Sequence, residues 1–493
     1  MKYIIALDQG TTSSRAILIN QSGKLLDIRQ KEFTQIFPNQ GWVEHDPIEI
    51  LNSQLQVFKD LLKINNIDPK DIISIGITNQ RETTVLWDRD SGKPLYNAIV
   101  WQDKRTTEIC EKIKDDGLEG YIKSNTGLVV DSYFSATKIK WIIDNVDGVQ
   151  AKIDNNKVIA GTIDSWLIYN LTSFDSHVTD YTNASRTMIF NIKSLDWDDK
   201  ILNYLNIPRS ILPKVLPSSA NFGSFNFEGI KIPIHGVAGD QQSALFGQAC
   251  FEDGMVKNTY GTGCFLLMNT GKKMNLSENG LLTTIACSTT ESINYALEGS
   301  VFIAGAAIQW LRDSLGLIKN ASDTEKIANS ISELKNIYVV PAFAGLGAPY
   351  WDMYSRGAIF GLTRDTGKNH IIKATLESLA YQTKDIINVM EKDSKLKLKE
   401  LKVDGGACNN NYLMQFQSDI LNCKVLRPEI IESTAMGAGY LAGIYSSLWD
   451  KNTILSNQKI NKIFDPSIDD DKRKSLYKGW NSAVKRSMNW IEK

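Results

Sequence analysis

The sequence predicts an α/β protein that is built from two similar domains. Three observations lead to this prediction. Short apolar runs, typical of buried strands, alternate with segments in which apolar residues recur at helical spacing. A strand, a turn rich in Gly and Thr and a second strand occur at residues 3–19 and again at residues 256–268. The 493 residues are enough for two large domains or about three of ~150 residues each.

The first elements follow from apolar runs and turn residues. Residues 3–7 and 15–19 predict two strands, and Asn20–Lys24 predicts a hairpin turn into a third. Asp46 and Pro47 begin a helical pattern that continues to residue 63, because proline is well tolerated in a first helical turn. Residues 72–78 predict another strand, so strands and helices alternate.

The second half repeats this organisation. Residues 256–260 and 264–268 predict strands on either side of Gly261-Thr262-Gly263. The domain boundary is expected near residues 252–254, which gives an N-terminal domain of residues 1–251 and a C-terminal domain of residues 252–493. The charged tail from Asp469 onward predicts a surface helix that docks by one apolar face.

A third glycine-rich turn lies at residues 403–410. A strand enters it, and a helix with one apolar face leaves it. Asn409 is expected to cap that helix, but capping does not explain the paired Gly405 and Gly406. Two adjacent glycines allow a flat ligand to lie against the backbone, so the turn is a candidate binding site.

Composition excludes several classes of protein. Hydrophobic residues are 42% and charged residues 23% of the chain, and the net charge is -1, which argues against disorder, a fibrous repeat and a nucleic-acid partner. The six cysteines and four histidines are dispersed, which disfavours a zinc site or a disulfide framework. The N-terminus lacks the apolar stretch of a signal peptide, and the apolar run at residues 301–311 is too short to insert in a membrane. We expect a cytoplasmic enzyme.

Two of the turns are candidates for binding phosphate. No P-loop motif is present, but Asp8-Gln9-Gly10-Thr11-Thr12 places a carboxylate, a glycine and two hydroxyls directly after a buried strand. Backbone amides and hydroxyls of such a turn can bind phosphate oxygens, Asp8 can hold Mg²⁺, and Arg15 adds positive charge. Gly261-Thr262-Gly263 would supply a second set. Each turn alone is also compatible with an ordinary hairpin; their joint occurrence favours a binding role.

These segments resemble a known superfamily. DQGTTSSR at 8–15, YGTGCF at 260–265 and the stretch at 403–421 resemble the two phosphate segments and the adenosine segment of the actin/hexokinase/Hsp70 ATPases. Residues 133–141 and 345–364 resemble the two signatures of the FGGY carbohydrate kinases, and the similarity runs from Tyr3 to about Trp480. The resemblance implies two ribonuclease-H-like domains of the actin/hexokinase type that flank a central cleft.

The resemblance also implies a nucleotide site. It implies ATP/ADP and Mg²⁺ as cofactors, with Asp8 at the metal, and a homodimer or homotetramer. The residues that match nucleotide contacts of the family are Thr11, Thr12, Ser13, Arg15, Thr262, Gly305, Gln309, Gly406 and Asn410.

Five further segments are similar to the branch of this family that phosphorylates glycerol. They are residues 77–84, 99–106, 131–135, 238–247 and 262–265. By resemblance, glycerol would be bound by Arg81, Glu82, Trp101, Tyr133, Asp240, Gln241 and Phe265, with Asp240 as the general base. The expected reaction is in-line transfer of a phosphoryl group from ATP, which yields sn-glycerol 3-phosphate in glycerol catabolism. A polyol with three hydroxyls and little apolar area needs several convergent polar groups, and an Arg–Glu pair supplies both donors and acceptors.

Two alternatives remain open at this point. One is a non-catalytic ATP-binding protein of the same superfamily, which would have no need of the polyol-binding set. The other is a kinase for a different polyol or ketose, such as dihydroxyacetone or erythritol. Some relatives bind fructose 1,6-bisphosphate through a longer loop than residues 222–233, or carry a phosphorylatable histidine where this chain has Asn226. The resemblance therefore predicts neither form of regulation.

Overall fold

The structure is a computed structural model that describes residues 2–290, 292–332, 334 and 336–492. It contains two compact units. Unit 1 comprises residues 1–249, 283–295 and 433–458, and unit 2 comprises residues 250–282, 296–432 and 459–493. The units therefore differ from the contiguous ranges 1–251 and 252–493, because two segments of the second half pack into unit 1.

The elements before residue 250 alternate as the sequence predicts. The strands are β1 (Tyr3–Gln9), β2 (Ser13–Asn20), β3 (Leu25–Glu32), β4 (Glu44–His45), β5 (Ile72–Asn79), β6 (Thr84–Asp88), β7 (Ala98–Ile99), β8 (Val158–Thr162), β9 (Val178–Asp180), β10 (Phe190–Asn191), β11 (Asp196–Trp197), β12 (Lys214–Leu216), β13 (Ser224–Phe227) and β14 (Ile230–Gly239). The helices are α1 (Pro47–Asn65), α2 (Thr107–Asp115), α3 (Glu119–Thr126), α4 (Ser135–Asn145), α5 (Val149–Asp154), α6 (Ile163–Leu171), α7 (Tyr181–Ala184), α8 (Asp199–Leu205) and α9 (Asp240–Gly247).

The remaining elements follow after residue 250. The strands are β15 (Val256–Tyr260), β16 (Cys264–Gly271), β17 (Leu282–Ile285), β18 (Tyr295–Val301), β19 (Tyr338–Val340), β20 (Ala358–Phe360), β21 (Glu400–Asp404), β22 (Lys424–Pro428) and β23 (Ile460–Phe464). The helices are α10 (Gly305–Gln309), α11 (Asp323–Asn329), α12 (Lys368–Ser394), α13 (Asn411–Leu421), α14 (Ser433–Tyr445), α15 (Lys451–Asn457) and α16 (Asp470–Ser487).

Local sequence accounts for the first elements of unit 1. The predicted strands are confirmed as β1, β2, β3 and β5. Helix α1 begins after Asp46, whose carboxylate accepts a hydrogen bond from the amide of Ile48, and Pro47 occupies its first turn. The helix ends at Asn66, which adopts a left-handed conformation.

The two units repeat one sheet order. In unit 1 the order β3-β2-β1-β5-β14 has β2 antiparallel to β1 and β3, and β5 parallel to β1 and β14. In unit 2, neighbouring strands run in the order β18-β16-β15-β21-β22, with β15 antiparallel to β16, parallel to β21, and β21 parallel to β22. The predicted similarity of the two halves is therefore real at the level of topology.

Helix α14 supports the strands and the helix that carry the predicted acceptor residues. It packs against α9, β14, β5 and β1, all in unit 1. The contact with α9 is a close approach of backbones, because a Cβ atom at Gly437 would overlap the carbonyl oxygen of Ser243. Glycine at this position lets the two helices lie nearer than side chains would permit.

The C-terminal helix docks within unit 2. Trp480 and Val484 on α16 are buried, and the indole nitrogen of Trp480 donates to the carboxylate of Asp385 at 2.8 Å. The predicted helix with one docked face is confirmed, although it ends at Ser487. Within the described ranges, every helix is too short or too polar to span a lipid bilayer. The cytoplasmic location stays a prediction.

Replacement of Gly437 by Ala should destabilise unit 1. The added methyl group collides with backbone atoms of α9 rather than with a side chain that can rotate, so we expect a loss of about 1–3 kcal/mol or more in the free energy of unfolding. The matched control is Gly120→Ala at an exposed position of helix α3, where a Cβ atom meets no atom within 4 Å and the substitution should be neutral or stabilising. Urea unfolding of both variants measures this, and equal stabilities would contradict the packing argument.

Candidate active site

The first phosphate-loop candidate is the turn of the β1–β2 hairpin in unit 1. Asp8 and Arg15 are opposite each other in its register, and the Arg15 Nη1 lies 3.5 Å from the Asp8 Oδ2. The amide of Gly10 donates to the carbonyl of Ser13, which closes the turn. Thr12 is exposed, and Thr11 and Ser13 are half-buried. The turn therefore presents hydroxyls and positive charge beside a nearly buried carboxylate.

The donor set at Asp8 fits Mg²⁺. A single carboxylate at a strand end is sufficient, because Mg²⁺ in phosphoryl-transfer sites is commonly bound by one or two carboxylates together with phosphate oxygens and water. The Asp8 carboxylate lies 3.5 Å from the Arg15 guanidinium, which orients it at the end of the strand. The residue type and its position therefore fit the role that the resemblance implies for Asp8.

The predicted acceptor residues of unit 1 meet in a buried chain of alternating charges. We call the four side chains Asp240, Arg81, Glu82 and Arg186 the charge chain. The Arg81 Nε lies 3.1 Å from Asp240 Oδ1 and 3.8 Å from Glu82 Oε1, and the Arg186 Nε donates to Glu82 Oε1 at 2.6 Å. The side chains of Arg81, Glu82 and Arg186 are at most 2% exposed, whereas that of Asp240 is 30% exposed. The charge chain thus ends in one partly exposed carboxylate, that of Asp240.

The backbone at Glu82 is held in an unusual conformation. Its φ is 61°, in the left-handed region that non-glycine residues seldom occupy. Its carbonyl oxygen accepts hydrogen bonds from the hydroxyls of Thr84 and Ser135, both at 3.0 Å. These bonds stabilise the turn that carries Arg81 and Glu82 out of strand β5. Strain of this kind persists only where surrounding contacts fix the backbone.

Asp240 is the first residue of α9 and has well-defined partners. Its Oδ1 accepts from the amide of Gln241 at 2.7 Å, and its Oδ2 from the Gln241 side chain at 3.1 Å. The amide of the preceding Gly239 donates to the hydroxyl of Thr182 at 2.8 Å, and that hydroxyl donates to Asp180. Burial raises the pKa of Asp180. The start of α9 is therefore anchored from a second segment of unit 1.

An aromatic corner lies beside these polar groups. Trp101 and Tyr133 contact edge to face, with ring centroids 5.5 Å apart. The Trp101 indole nitrogen donates to the Thr11 hydroxyl at 3.0 Å, which joins this predicted acceptor residue to the predicted phosphate loop. Such rings can cover the carbon atoms of a small polyol and exclude water from it.

Lys138 holds the segment that carries Tyr133. Its buried Nζ donates to the carbonyl oxygens of Ser132, Tyr133 and Phe134 at 2.7, 2.6 and 3.0 Å. Burial lowers the pKa of Lys138 to about 7, against the opposing effect of the Glu82, Asp103 and Asp131 carboxylates. Three carbonyl acceptors engage all three hydrogens of an ammonium group, so this geometry favours the charged form.

The second phosphate-loop candidate lies in unit 2. The amide of Gly261 donates to the carbonyl of Gly263, and the amide of Gly305 donates to the carbonyl of Gly261 at 3.0 Å. The start of helix α10 therefore packs directly on this turn, and Thr262 is exposed. Gln309, on the same short helix, is also exposed. Phe265 follows on β16, and its carbonyl accepts from Lys257.

The third turn differs from the sequence prediction in one respect. Asn410, not Asn409, caps helix α13: its Oδ1 accepts from the amide of Leu413 at 2.9 Å, while its Nδ2 donates to Thr324. The prediction for Asn409 is wrong because a short 3₁₀ turn at Gly406–Asn409 shifts the helix start by one residue. Gly406 is exposed with open space where a Cβ would be, as a ligand on this turn would need.

Comparison with protein families decides the class. Family models describe residues 3–247 as the N-terminal domain and residues 256–446 as the C-terminal domain of the FGGY family of carbohydrate kinases. The chain belongs to the FGGY family of carbohydrate kinases. The two-domain fold of mixed helix and sheet predicted from the sequence is confirmed, and the alternative of a non-catalytic superfamily member loses its support.

This FGGY kinase has relatives of nearly equal length. It is 58% identical to a glycerol kinase of Alkaliphilus metalliredigens over 493 residues, with 99% of each chain covered. It is likewise 58% identical to a glycerol kinase of Fusobacterium nucleatum, with 100% of each chain covered. The solved structure of Plasmodium falciparum glycerol kinase with ADP matches with a TM-score of 0.94 and 38% identity, and covers 100% of this chain and 99% of that one. A Lactobacillus acidophilus xylulose kinase at 24% identity shares the fold.

Sequence reasoning missed several residues of this kinase that complete the site. Arg186 and Lys138 are each fully buried cations, and Gln242 accepts from Arg81 at 3.1 Å and donates to Thr284. Arg186 lies two residues before the apolar run Met188–Phe190, which does not indicate a role at the site. No local signal pairs it with Glu82, because 104 positions separate the two residues.

Removal of Arg186 should destabilise this FGGY kinase far more than removal of an exposed arginine. Arg186→Met removes the 2.6 Å ion pair of the buried Glu82 carboxylate, and loss of one partner of a buried ion pair costs about 3–5 kcal/mol. The control is Arg209→Met, whose partly exposed side chain pairs with Asp196 and Asp199 and should cost less than about 1 kcal/mol. Denaturant unfolding of both variants checks the difference; similar small losses would show that the charge chain is not important for stability.

Proposed function

We propose that this protein transfers the γ-phosphoryl group of ATP to a terminal hydroxyl of glycerol and so forms sn-glycerol 3-phosphate. The observation that carries the proposal is the charge chain, which ends in a partly exposed carboxylate, Asp240. Its Arg186 guanidinium lies 5.7 Å from the centre of the Tyr133 ring in the Trp101–Tyr133 corner. The names of the relatives at 58% identity support the same substrate.

The acceptor residues suit a small polyol. Arg81 offers donors, Glu82 and Asp240 offer acceptors, and Gln241 offers both. Each is already held by neighbouring groups, so little conformational entropy is lost when a ligand binds. An analogue that lacks a hydroxyl would leave a buried polar group unsatisfied, which is the strongest available means of discrimination. Trp101, Tyr133 and Phe265 would cover the carbon atoms.

Asp240 is proposed as the general base. One of its oxygens faces Arg81, which orients the carboxylate, and its partial exposure leaves it open to a ligand. It would accept the proton of the attacking hydroxyl as the new O–P bond forms. General-base catalysis contributes about 10²–10⁴-fold, and alignment and charge neutralisation supply most of the remaining acceleration.

Roles in binding ATP are proposed for nine residues of the chain. Thr11, Thr12, Ser13 and Arg15 are proposed for the phosphates, together with Thr262. Gly305, Gln309, Gly406 and Asn410 are proposed for the rest of the nucleotide. The helix cap uses one lone pair of the Asn410 side chain and the bond to Thr324 uses one of its hydrogens, which leaves one of each for this role. When bound at Asp8, Mg²⁺ would neutralise charge on the transferring phosphoryl group.

We further propose a role in glycerol catabolism in the cytoplasm, and a homodimer or homotetramer.

A coupled assay of ADP release with Mg·ATP tests the proposal. Glycerol, dihydroxyacetone, erythritol, xylulose, gluconate and no acceptor are compared at equal concentrations. We expect turnover that depends on glycerol and far exceeds the rate with any other acceptor. Preference for a sugar would remove the roles given to Arg81 and Glu82 while leaving the nucleotide site intact. ATP hydrolysis that no acceptor stimulates would refute the kinase reaction itself.

Asp240→Asn should abolish most of the turnover. The amide keeps the size of the side chain but cannot accept the hydroxyl proton, so kcat should fall about 10²–10⁴-fold. The control is Asp147→Asn at an exposed turn before α5, which should leave kcat unchanged. Steady-state kinetics with glycerol measures both, and near-normal kcat in Asp240→Asn would rule out this residue as the base.

A further inference from the structure

Thr11 and Trp101 are joined by a second hydrogen-bonded path that the proposed reaction does not use. The direct path is the bond from the Trp101 indole nitrogen to the Thr11 hydroxyl at 3.0 Å. The second path runs through four polar side chains of unit 1, which we call the polar relay. Its members are Gln35, His45, Gln80 and Thr83.

The bonds of the polar relay form an unbroken series. The Trp101 amide donates to the Thr83 hydroxyl at 3.3 Å, and that hydroxyl donates to Gln80 Oε1 at 3.0 Å. Gln80 Nε2 and His45 Nδ1 are 3.3 Å apart, and His45 Nε2 and Gln35 Oε1 are 2.8 Å apart. Gln35 Nε2 then donates to the carbonyl oxygen of Thr11 at 3.1 Å. Together with the direct bond, this series closes a ring.

The chemistry of the members fixes the direction of every bond. Gln35 Oε1 can only accept, so His45 Nε2 carries the hydrogen, and His45 Nδ1 is left to accept from the amide of Gln80. His45 is fully buried, and burial lowers its pKa to about 4, so its imidazole is neutral near pH 7. Gln80 and Thr83 are also buried, at 2% and 0% exposure. A protonated imidazole, or one with its hydrogen on Nδ1, would place an N–H group of His45 opposite the side-chain N–H of Gln80 and break the series.

A closed ring of hydrogen bonds restrains movements of Thr11 that a single hydrogen bond leaves possible. The indole–hydroxyl bond alone leaves Thr11 free to turn about it, whereas the relay holds the backbone of Thr11 relative to the backbone of Trp101. The relative position of acceptor and phosphate loop decides alignment for in-line transfer, and misplacement by about 1 Å can cost 10²-fold in rate. We propose that Gln35, His45, Gln80 and Thr83 are positioning residues that set the phosphate loop at Thr11 against the acceptor platform at Trp101. This inference rests on the proposed function.

Cuts at the two ends of the relay provide the test. Gln35→Met removes the bonds to Thr11 and His45 at similar volume, and Thr83→Val removes the bonds to Gln80 and Trp101. Thr83→Ser keeps the hydroxyl and serves as the conservative rescue. Gln56→Met, on the exposed face of α1, is the matched control for a glutamine replaced by methionine. The kinetics of the unaltered protein, these variants and the Gln35→Met/Thr83→Val double variant are measured with the best acceptor of the panel.

We expect a loss of alignment rather than of binding. Each end cut should lower kcat about tenfold to a hundredfold, while KM for acceptor and for ATP changes less than about threefold. The kcat of the double variant should be no lower than that of the slower single variant. Either substitution alone already interrupts the hydrogen-bonded path between Trp101 and Thr11, so the second removes nothing further. Thr83→Ser and Gln56→Met should keep kcat near that of the unaltered protein. Multiplicative effects in the double variant would overturn the relay, since independent local damage is additive in free energy.

A readout that needs no turnover separates this inference from the proposed function. In ¹⁵N-histidine spectra at neutral pH, His45 should be the Nε2–H tautomer. Its Nδ1 resonance should shift in Thr83→Val, because the two residues are joined through Gln80 in the polar relay. If glycerol supports no turnover but these shifts are seen, the proposed substrate is wrong and the relay stands. An Nδ1–H tautomer, or a His45 spectrum indifferent to Thr83→Val, refutes the relay whatever the acceptor.

Discussion

The acceptor site of unit 1 depends on a buried chain of alternating charges. Asp240, Arg81, Glu82 and Arg186 carry two negative and two positive charges, so the set is formally neutral and each inner charge faces an opposite one. Charges that are removed from water are tolerated only with such compensation, and loss of one member leaves another exposed to the low dielectric of the interior. The left-handed backbone at Glu82 lies within this charge chain, and hydrogen bonds from the Thr84 and Ser135 hydroxyls to its carbonyl stabilise it.

The repeated sheet order explains why polar turns occur at corresponding places. In each unit the first strand pairs antiparallel with the second through a tight turn and parallel with a later strand. That topology brings the hairpin turn to the same edge as the residues that follow the parallel strand. In unit 1 these are the Asp8–Thr12 turn and Arg81; in unit 2 they are the Gly261–Gly263 turn and Gly405. The FGGY family thus uses one topology twice, with different side chains.

The sequence could indicate the acceptor residues but not what holds them. Arg81, Glu82 and Asp240 lie in segments that resemble the glycerol-phosphorylating branch, so the sequence alone indicates them. The sequence does not indicate Arg186 and Lys138, because their partners come from distant segments or are backbone carbonyls, which carry no residue-specific signal. The same holds for the polar relay, whose members come from three separate stretches of chain: Gln35, His45 and the turn that carries Gln80 and Thr83. The shift of the α13 cap from Asn409 to Asn410 was missed for a local reason: turn residues favour a 3₁₀ turn and a helix start almost equally.

The sequence by itself determined the alternation of strands and helices, the three glycine-rich turns and the membership of the family. These properties depend on periodicity and on short contiguous motifs, which are local. Only the tertiary structure decided which residues belong to which compact unit, since helix α14 packs into unit 1 although the chain reaches it after most of unit 2. It also decided the partners of the buried charges and the direction of the relay, because burial and hydrogen bonding join residues by distance in space rather than in sequence.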